Sequence, residues 1–418
     1  MSKKVALFGG TFNPPHVGHV KAFRSFCETI APDVVYVMPS NLPPHKVMSG
    51  ADNPAKRFHM ARLALDGISE NAVFSAIELA RSGKSYSVDT VKELCSLHGC
   101  RKIYMYVGSD MLFYFEKWKD FEILFEKCIL VTAPRCEQDR KTVELCCERY
   151  AQAYGCEYII LPLAPIDISS TEIRDFAIGG RTEELKKHLT DGVYGYIIKE
   201  NPYCETDAEN VSSENMILQL REMLGQFLGE KRLEHTLSVE KCALEMARIF
   251  LVHYGYSEEY LRDISAAALL HDITKNRSDE WHKEYLRSFM RDFGDHPAVF
   301  HSWSGAYFAL ENFFVNPRVF RAIFNHTTGR ADMDVFEKII FLADYIEPGR
   351  SHPSCVALRE KYLELTKSGI KDRKTADEIL DSLVLRSLCD TFSFLNGKGA
   401  KVCPKLFEAK EHLERRSV

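Results

Sequence analysis

The 418-residue sequence predicts two unlike domains, an α/β domain with a parallel sheet followed by an all-α domain. Three observations carry this. Short β-branched runs alternate with amphipathic stretches over the first two hundred residues, as in a sheet wound with helical crossovers. A polar, acidic, proline-containing segment, "ENPYCETDAENVSSEN", then breaks the pattern. Beyond it apolar residues recur at helical spacing and β-branched runs nearly vanish. The expected boundaries are 1–200, a linker at 201–215, and 216–418. A chain of this length also exceeds one ordinary core.

In order, "KVALFGG", "DVVYVMP", "KIYMYVGSD", "KCILVTAPR" and "CEYIILPL" read as strands, and "HVGHVKAFRSFCETI" and "PAKRFHMARLALDG" as intervening helices. After the linker, "NMILQLREMLGQFL", "SVEKCALEMARIFLVHYG", "LRDISAAALLHDI" and "DVFEKIIFLADYIE" have the helical period. Composition narrows the function classes. With 45% hydrophobic residues, 27% charged residues and net charge −5, the chain lacks the basic excess of a nucleic-acid binder. No apolar run is long enough to span a bilayer, so no membrane partner is expected. The apolar run after "MSKK" is too short for a secretory signal and ends in glycines. Thirteen scattered cysteines without a C-x-x-C pair suit reduced thiols in the cytoplasm. A homo-oligomer is compatible with all of this.

Two constellations carry chemistry. In "FGGTFNPPHVGHV" a strand ends at Gly9-Gly10, a proline turn follows, and a helix begins near His16. Glycines let backbone approach a phosphate, and the free N–H groups of a helix start attract anions. His16 and His19, three apart, share that end of the helix and can stabilise charge on phosphoryl oxygens. A Gly-Pro loop that merely contains histidines is the bland alternative, and the whole string makes it the weaker one.

The second constellation begins with "ALLHDITK", a His-Asp pair in what reads as a buried helix, where unpaired polar groups are costly. Its partners are His235 in "EKRLEHTLSVEK", His301 in "VFHSWSGAY", His326 in "FNHTTGR" and Asp344 in "FLADYIEPGR". Each of these alone reads as a satisfied core histidine or capping aspartate. Together with His271 and Asp272 they supply four imidazoles and two carboxylates, the donors two first-row metal ions require. The remaining histidines, such as His188, His282 and His412, read as solvated. Two ions would clamp a phosphoryl group and activate water, with Asp272 between them, while Lys275 and Arg330 would neutralise a polyphosphate.

"GGTFNPPHVGHV" resembles the H-x-G-H signature of the nucleotidyltransferase superfamily, whose domain is Rossmann-like. "NLPPHK", "SYSVDTVKEL", "VGSDMLFYFEKWKDFEIL" and "ISSTEIRD" match, in order, the bacterial nicotinate-nucleotide adenylyltransferases over residues 5–198. The resemblance implies transfer of AMP from ATP, with Mg²⁺, to nicotinate mononucleotide, giving deamido-NAD and pyrophosphate. It implies that Gly9, Gly10, Thr11, Phe12, His16, His19, Lys46, Ser170, Thr171 and Arg174 hold ATP and its phosphates. Ser87, Gly108, Asp110 and Trp118 would form the nicotinate-nucleotide side, with Trp118 near the pyridine ring and Asp110 hydrogen-bonding rather than acting as a base. Two departures stand out. Ser87 replaces a frequent Thr, and Lys119 follows Trp118 where some relatives carry an aromatic, which bears on the choice between the acid and the amide of the nicotinyl group.

Over about 216–415 the chain is similar to the HD-domain superfamily, and "NHTTGRADMDVFEKIIFLADYIEPGR" is close to its symmetrical dinucleoside-tetraphosphate hydrolases. That resemblance implies a two-metal centre, commonly iron, that splits diadenosine tetraphosphate into two ADP. His235, His271, Asp272 and Asp344 would hold one metal; His301 and His326, with Asp272 bridging, the other. Alternative readings make this domain another nucleotide phosphohydrolase or a nucleotide sensor regulating the transferase. The ligand set alone says only metal-dependent phosphohydrolase.

Overall fold

A computed structural model describes residues 3–41, 53–81, 85–164, 168–203, 214–291 and 293–416. They form two units, Met1–Glu205 with the segment Arg287–Asp292, and Thr206–Leu286 with Phe293–Val418. Residues 204–213, most of the expected linker, lie outside the described residues.

The first unit is built on six parallel strands, β1 (Val5–Gly10), β2 (Val34–Pro39), β3 (Ala72–Phe74), β4 (Ile103–Tyr106), β5 (Cys128–Thr132) and β6 (Glu157–Ile160), in the order β3-β2-β1-β4-β5-β6. Strand β1 pairs with β2 on one side and β4 on the other, both in parallel. The winding therefore reverses direction between β1 and β4, which opens a crevice at their carboxyl ends. Five of these strands are the expected ones. The sixth, β3, is only three residues long, and "AVF" is too short to show a period. Val5, Leu7, Val34, Tyr36, Met105 and Leu130 of the sheet pack with Val91, Leu94 and Phe125 of the helices into one buried core. This core fixes the strand ends that carry the first site.

The second unit is helical, and the helices Glu230–Phe250, Glu258–Leu270, Pro297–Asn312, Pro317–Asn325 and Val335–Ile346 pack on one another at its centre. Two differences from the sequence reading matter for the site. "ALLHDITK" is not one continuous helix: the helix ends at Leu270, His271 is its C-cap, and the next residues turn tightly, with Ile273 N–H donating to Leu270 O at 3.1 Å and Lys275 N–H to Asp272 O at 2.8 Å. His271 itself keeps helical angles, φ −56° and ψ −38°, so the chain leaves the regular helix only after it. His282, expected to be solvated, is buried and bonds Ser304 Oγ at 2.8 Å. No helix among the described residues is long and apolar enough to cross a membrane.

Candidate active sites

The first site is a cleft of ≈ 920 Å³ at the β1–β4 crevice. Its lining includes Gly9, Gly10, Thr11, Phe12, His16, His19, Ser87, Gly108, Asp110, Trp118, Ser170, Thr171 and Arg174. Lys46 lies outside the described residues.

The two histidines form a cap. His16 is the N-cap of the Val17–Ile30 helix, and its Nδ1 accepts the Gly18 N–H at 3.2 Å. His19 Nδ1 accepts the His16 N–H at 3.3 Å, closing the reciprocal bond. Two orphan donors of the helix start are thereby satisfied by imidazoles rather than by the usual Ser and Glu. Because both Nδ1 atoms accept, each neutral ring carries its proton on Nε2. Burial, with His19 and Arg135 nearby, pushes the His16 pKa down to about 2, so it stays an uncharged donor. The intervening glycine has a steric reason: a Cβ on Gly18 would lie 2.9 Å from the His16 ring. Gly10 is constrained in the same way, with the Phe12 ring 2.9 Å from where its Cβ would be.

A second helix start meets the same loop. Ser169 caps the Ser170–Ile178 helix in a capping box with Glu172. Ser170 Oγ donates to Pro14 O at 2.9 Å, and Arg174 donates to Asn13 O at 2.7 Å and to Thr171 Oγ1 at 3.0 Å. The two bonds to Pro14 O and Asn13 O, across more than 150 residues of sequence, bring two N-terminal helix dipoles to one cleft, where anions are stabilised. On another wall Trp118 stacks on Phe115, with centroids 4.8 Å apart, and Asp110 lies 3.9 Å from Arg135. Arg135 is a cleft residue that the sequence reading missed, because "TAPR" reads as an ordinary exit from a strand.

The second site lies at the centre of the helical unit. Asp272 is buried, and its two oxygens divide the imidazoles. Oδ2 is 3.4 Å from His271 Nε2 and 3.9 Å from His235 Nε2, whereas Oδ1 is 3.3 Å from His301 Nε2 and 3.8 Å from His326 Nε2. Asp344 Oδ1 joins the first group, 3.0 Å from His235 Nε2 and 3.9 Å from His271 Nε2. His301 Nε2 and His326 Nε2 lie 3.2 Å apart. Five helical segments thus deliver six side chains to one place.

Three of the four other ring nitrogens have outer acceptors, while His301 Nδ1 lies 3.1 Å from Lys275 Nζ. His271 Nδ1 donates to Ala268 O at 2.6 Å, His326 Nδ1 to Ile323 O at 2.7 Å, and His235 Nδ1 to Glu347 Oε1 at 3.1 Å. Glu347 is itself held by Ser238 Oγ at 2.6 Å. Such bonds turn the Nε2 lone pairs inward, as in metal-ligating histidines. His235 Nε2 and His271 Nε2 are buried without a hydrogen bond of acceptable geometry, a costly arrangement that a cation relieves. Burial and the neighbouring His271 push His326 down to about 4, leaving a neutral imidazole. Although burial opposes ionisation, the nearby histidines and cations hold the Asp272 and Asp344 carboxyls well below the usual range. Burial and Lys275 likewise hold His301 well below its ordinary value, whereas for His271 burial is outweighed by the Asp272 and Asp344 carboxylates, which raise it. Imidazoles gathered around ionised carboxylates suit divalent ions of the imidazole- and carboxylate-binding kind.

The cations divide differently from expectation. Lys275 Nζ does reach the site, 3.0 Å from His301 Nε2. Arg330 is instead committed to Glu337, which accepts from its Nε at 2.8 Å and from its Nη2 at 2.6 Å, while Nη1 donates to Ala331 O. The guanidiniums on the metal-site carboxylates are Arg232, 2.7 Å from Asp272 Oδ2, and Arg350, 2.5 Å from Asp344 Oδ1. Both line an adjoining cleft of ≈ 830 Å³ with Lys231, Asn276 and His235. In the sequence, Arg232 reads as a solvated first-turn residue and Arg350 as part of a loop, so neither signals a role. The buried His282–Ser304–Thr274 chain of hydrogen bonds ends on His301 O and braces that residue from behind.

Comparisons with known proteins divide the chain in the same way. Residues 7–176 match the profile described as cytidylyltransferase-like, and residues 232–349 match that of the HD domain. A Geobacter sulfurreducens protein named "probable nicotinate-nucleotide adenylyltransferase" is 33% identical over 217 residues, covering 48% of this chain and 98% of its own. A Lachnoclostridium phytofermentans protein of the same name is 32% identical over 208 residues, covering 48% and 99%. A crystal structure from Clostridium acetobutylicum, described as a "predicted HD superfamily hydrolase involved in NAD metabolism", is 32% identical over 47% of this chain and 96% of its own, with a TM-score of 0.40.

Proposed function

Because the chain belongs, through its first half, to the nicotinate-nucleotide adenylyltransferase family, we propose that it is a bifunctional nucleotide enzyme. The first unit transfers AMP from ATP to nicotinate mononucleotide; the second hydrolyses diadenosine tetraphosphate symmetrically. In the first reaction a phosphate oxygen of the nicotinate nucleotide attacks the α-phosphorus of ATP, delivered with Mg²⁺. The bond to the β-phosphate breaks, releasing pyrophosphate and leaving deamido-NAD. The observation that supports this is the neutral His16–His19 cap joined to the Ser169-capped helix start at one loop. Imidazole N–H donors and helix dipoles stabilise charge that builds on the phosphoryl oxygens. Arg174 stiffens the loop while presenting its cation to the triphosphate.

For the second reaction the supporting observation is Asp272, whose two oxygens each face a pair of imidazoles. His235, His271, Asp272 and Asp344 would hold one metal, and His301, His326 and Asp272 the other. Two ions bound there would activate water and polarise the phosphoryl group. Lys275 would neutralise the polyphosphate, joined by Arg232 and Arg350 once bound ions take over the carboxylates that now hold them; both arginines line the adjoining cleft. Addition of water across the central P–O–P linkage then gives two ADP.

The full-length chain, purified with its metals, should make deamido-NAD from ATP and nicotinate mononucleotide and convert diadenosine tetraphosphate to ADP alone. AMP plus ATP as products, or no turnover with metals bound, would overturn the hydrolase assignment without touching the transferase.

A further inference from the structure

The cleft of the first unit is chemically two-ended. One end gathers His16, His19 and two helix N-termini, which suits a triphosphate. The other is aromatic, formed by Trp118 stacked on Phe115 and by Tyr86 just before the Ser87–His98 helix. Lys119 belongs to this aromatic end. It lines the same cleft, and its Nζ sits 4.5 Å from the centroid of the Tyr86 ring. Its nearest carboxylate is Asp89 Oδ2, at 4.0 Å, with both side chains about half exposed. So loose a pair leaves most of the lysine's charge available to a third group. The Ser87–His98 helix start beside Tyr86 has no side-chain cap, and the Asp89 that faces Lys119 sits in its first turn.

We propose that Lys119 is a specificity-determining residue that selects the acid form of the nicotinyl nucleotide over the amide. The inference rests on the transferase reading above. Trp118 and Lys119 line the same cleft, so a carboxylate on an aromatic ring bound there would meet the ammonium's charge, whereas the amide of the same ring carries none for it to attract. Acid and amide are nearly the same shape, so packing alone separates them poorly and a fixed charge separates them well. Lys119 is anchored by the Tyr86 ring rather than by a buried salt bridge, so it can meet the substrate charge without first breaking a strong pair.

The test compares kcat/KM for nicotinate mononucleotide and nicotinamide mononucleotide in the full-length chain. Lys119→Met should lower the acid-to-amide ratio about five- to tenfold, as expected for one partly exposed charge, with the KM for ATP unchanged. Lys119→Arg should keep the ratio, and Lys119→Glu should lower it beyond Lys119→Met. Added salt should erode the ratio in the parent but not in Lys119→Met. An unchanged ratio in Lys119→Met, or a parallel fall for both nucleotides, would overturn the proposal in favour of simple positioning of Trp118. If the parent makes no dinucleotide from either nucleotide, the transferase reading fails and this inference fails with it; activity with nicotinate mononucleotide in the parent but no salt-sensitive preference sinks the inference alone.

Discussion

The two candidate sites handle phosphate by opposite physical means. Among the described residues the first offers a phosphate mainly imidazoles, backbone N–H groups and two helix ends, with Arg174 and Arg135 also lining the cleft. The second gathers two ionised carboxylates and four imidazoles, with His271, Asp272, His301 and His326 buried and His235 and Asp344 half-buried, and places Lys275, Arg232 and Arg350 against them. Dipoles suit a site that must bind and release its anion with little reorganisation. A buried cluster of donors with orphaned nitrogens is stable only when cations satisfy it. Damage should therefore look different in the two: loss of positioning in the first, loss of the ions themselves in the second.

The sharpest way to break the comparison is a crossed pair of variants. His271→Ala should lower metal content and drop tetraphosphate hydrolysis to background, with dinucleotide synthesis unaffected. His19→Ala should lower dinucleotide synthesis by about 10²–10³-fold and leave metal content, read by elemental analysis, unchanged. Loss of both activities in either variant would mean that the sites are not independent. Unchanged metal in His271→Ala would mean that the ligand set is wrong.

A milder change probes the support behind the ligands. Glu347 orients His235 through Nδ1, so Glu347→Gln should weaken metal affinity about 10–100-fold, measured by competition with a chelator. Unaltered affinity would show that His235 is held by packing alone.

The smallest effect sharpens the view of the first site as neutral. His16 titrates near 2 in the folded chain against an ordinary 6.5, because burial and its neighbours disfavour the cation. Below its ordinary value the unfolded chain takes up a proton that the folded chain refuses. The stability of this unit is therefore complete above the ordinary pKa and falls as the pH drops through it. His16→Asn should abolish about 2 kcal/mol of the loss between roughly pH 6.5 and 5, seen as a flatter pH dependence of the denaturant midpoint. An equal slope in the variant would place the acid sensitivity elsewhere.

Legibility followed locality. His16, Gly18 and His19 could be read as a site because one contiguous loop supplies the cap, the glycine and both donors. The six metal-site side chains could be gathered from distant stretches because a histidine or aspartate in an apolar helical context is conspicuous. Arg232, Arg350, Glu347 and Arg135 could not, since charged residues at helix starts and in loops are ordinary in sequence. Arg330 misled for the same reason, as its partner Glu337 is visible only once the turn after His326 is folded.

By itself, the sequence determined the two-domain division and the parallel α/β character of the first half, and it singled out the His16–His19 helix start and the six side chains that the fold gathers in the second site. These depend on hydrophobic period, turn chemistry and the desolvation cost of polar groups, all written along the chain. Only the tertiary structure decided that the helix stops at Leu270, that the Asp272 oxygens split four imidazoles into two pairs, which arginines sit on the site carboxylates, and that Lys119 stands over Tyr86. Those outcomes depend on which surfaces meet through space, and a contact such as Arg232 on Asp272, 40 residues apart, leaves no period or spacing to read.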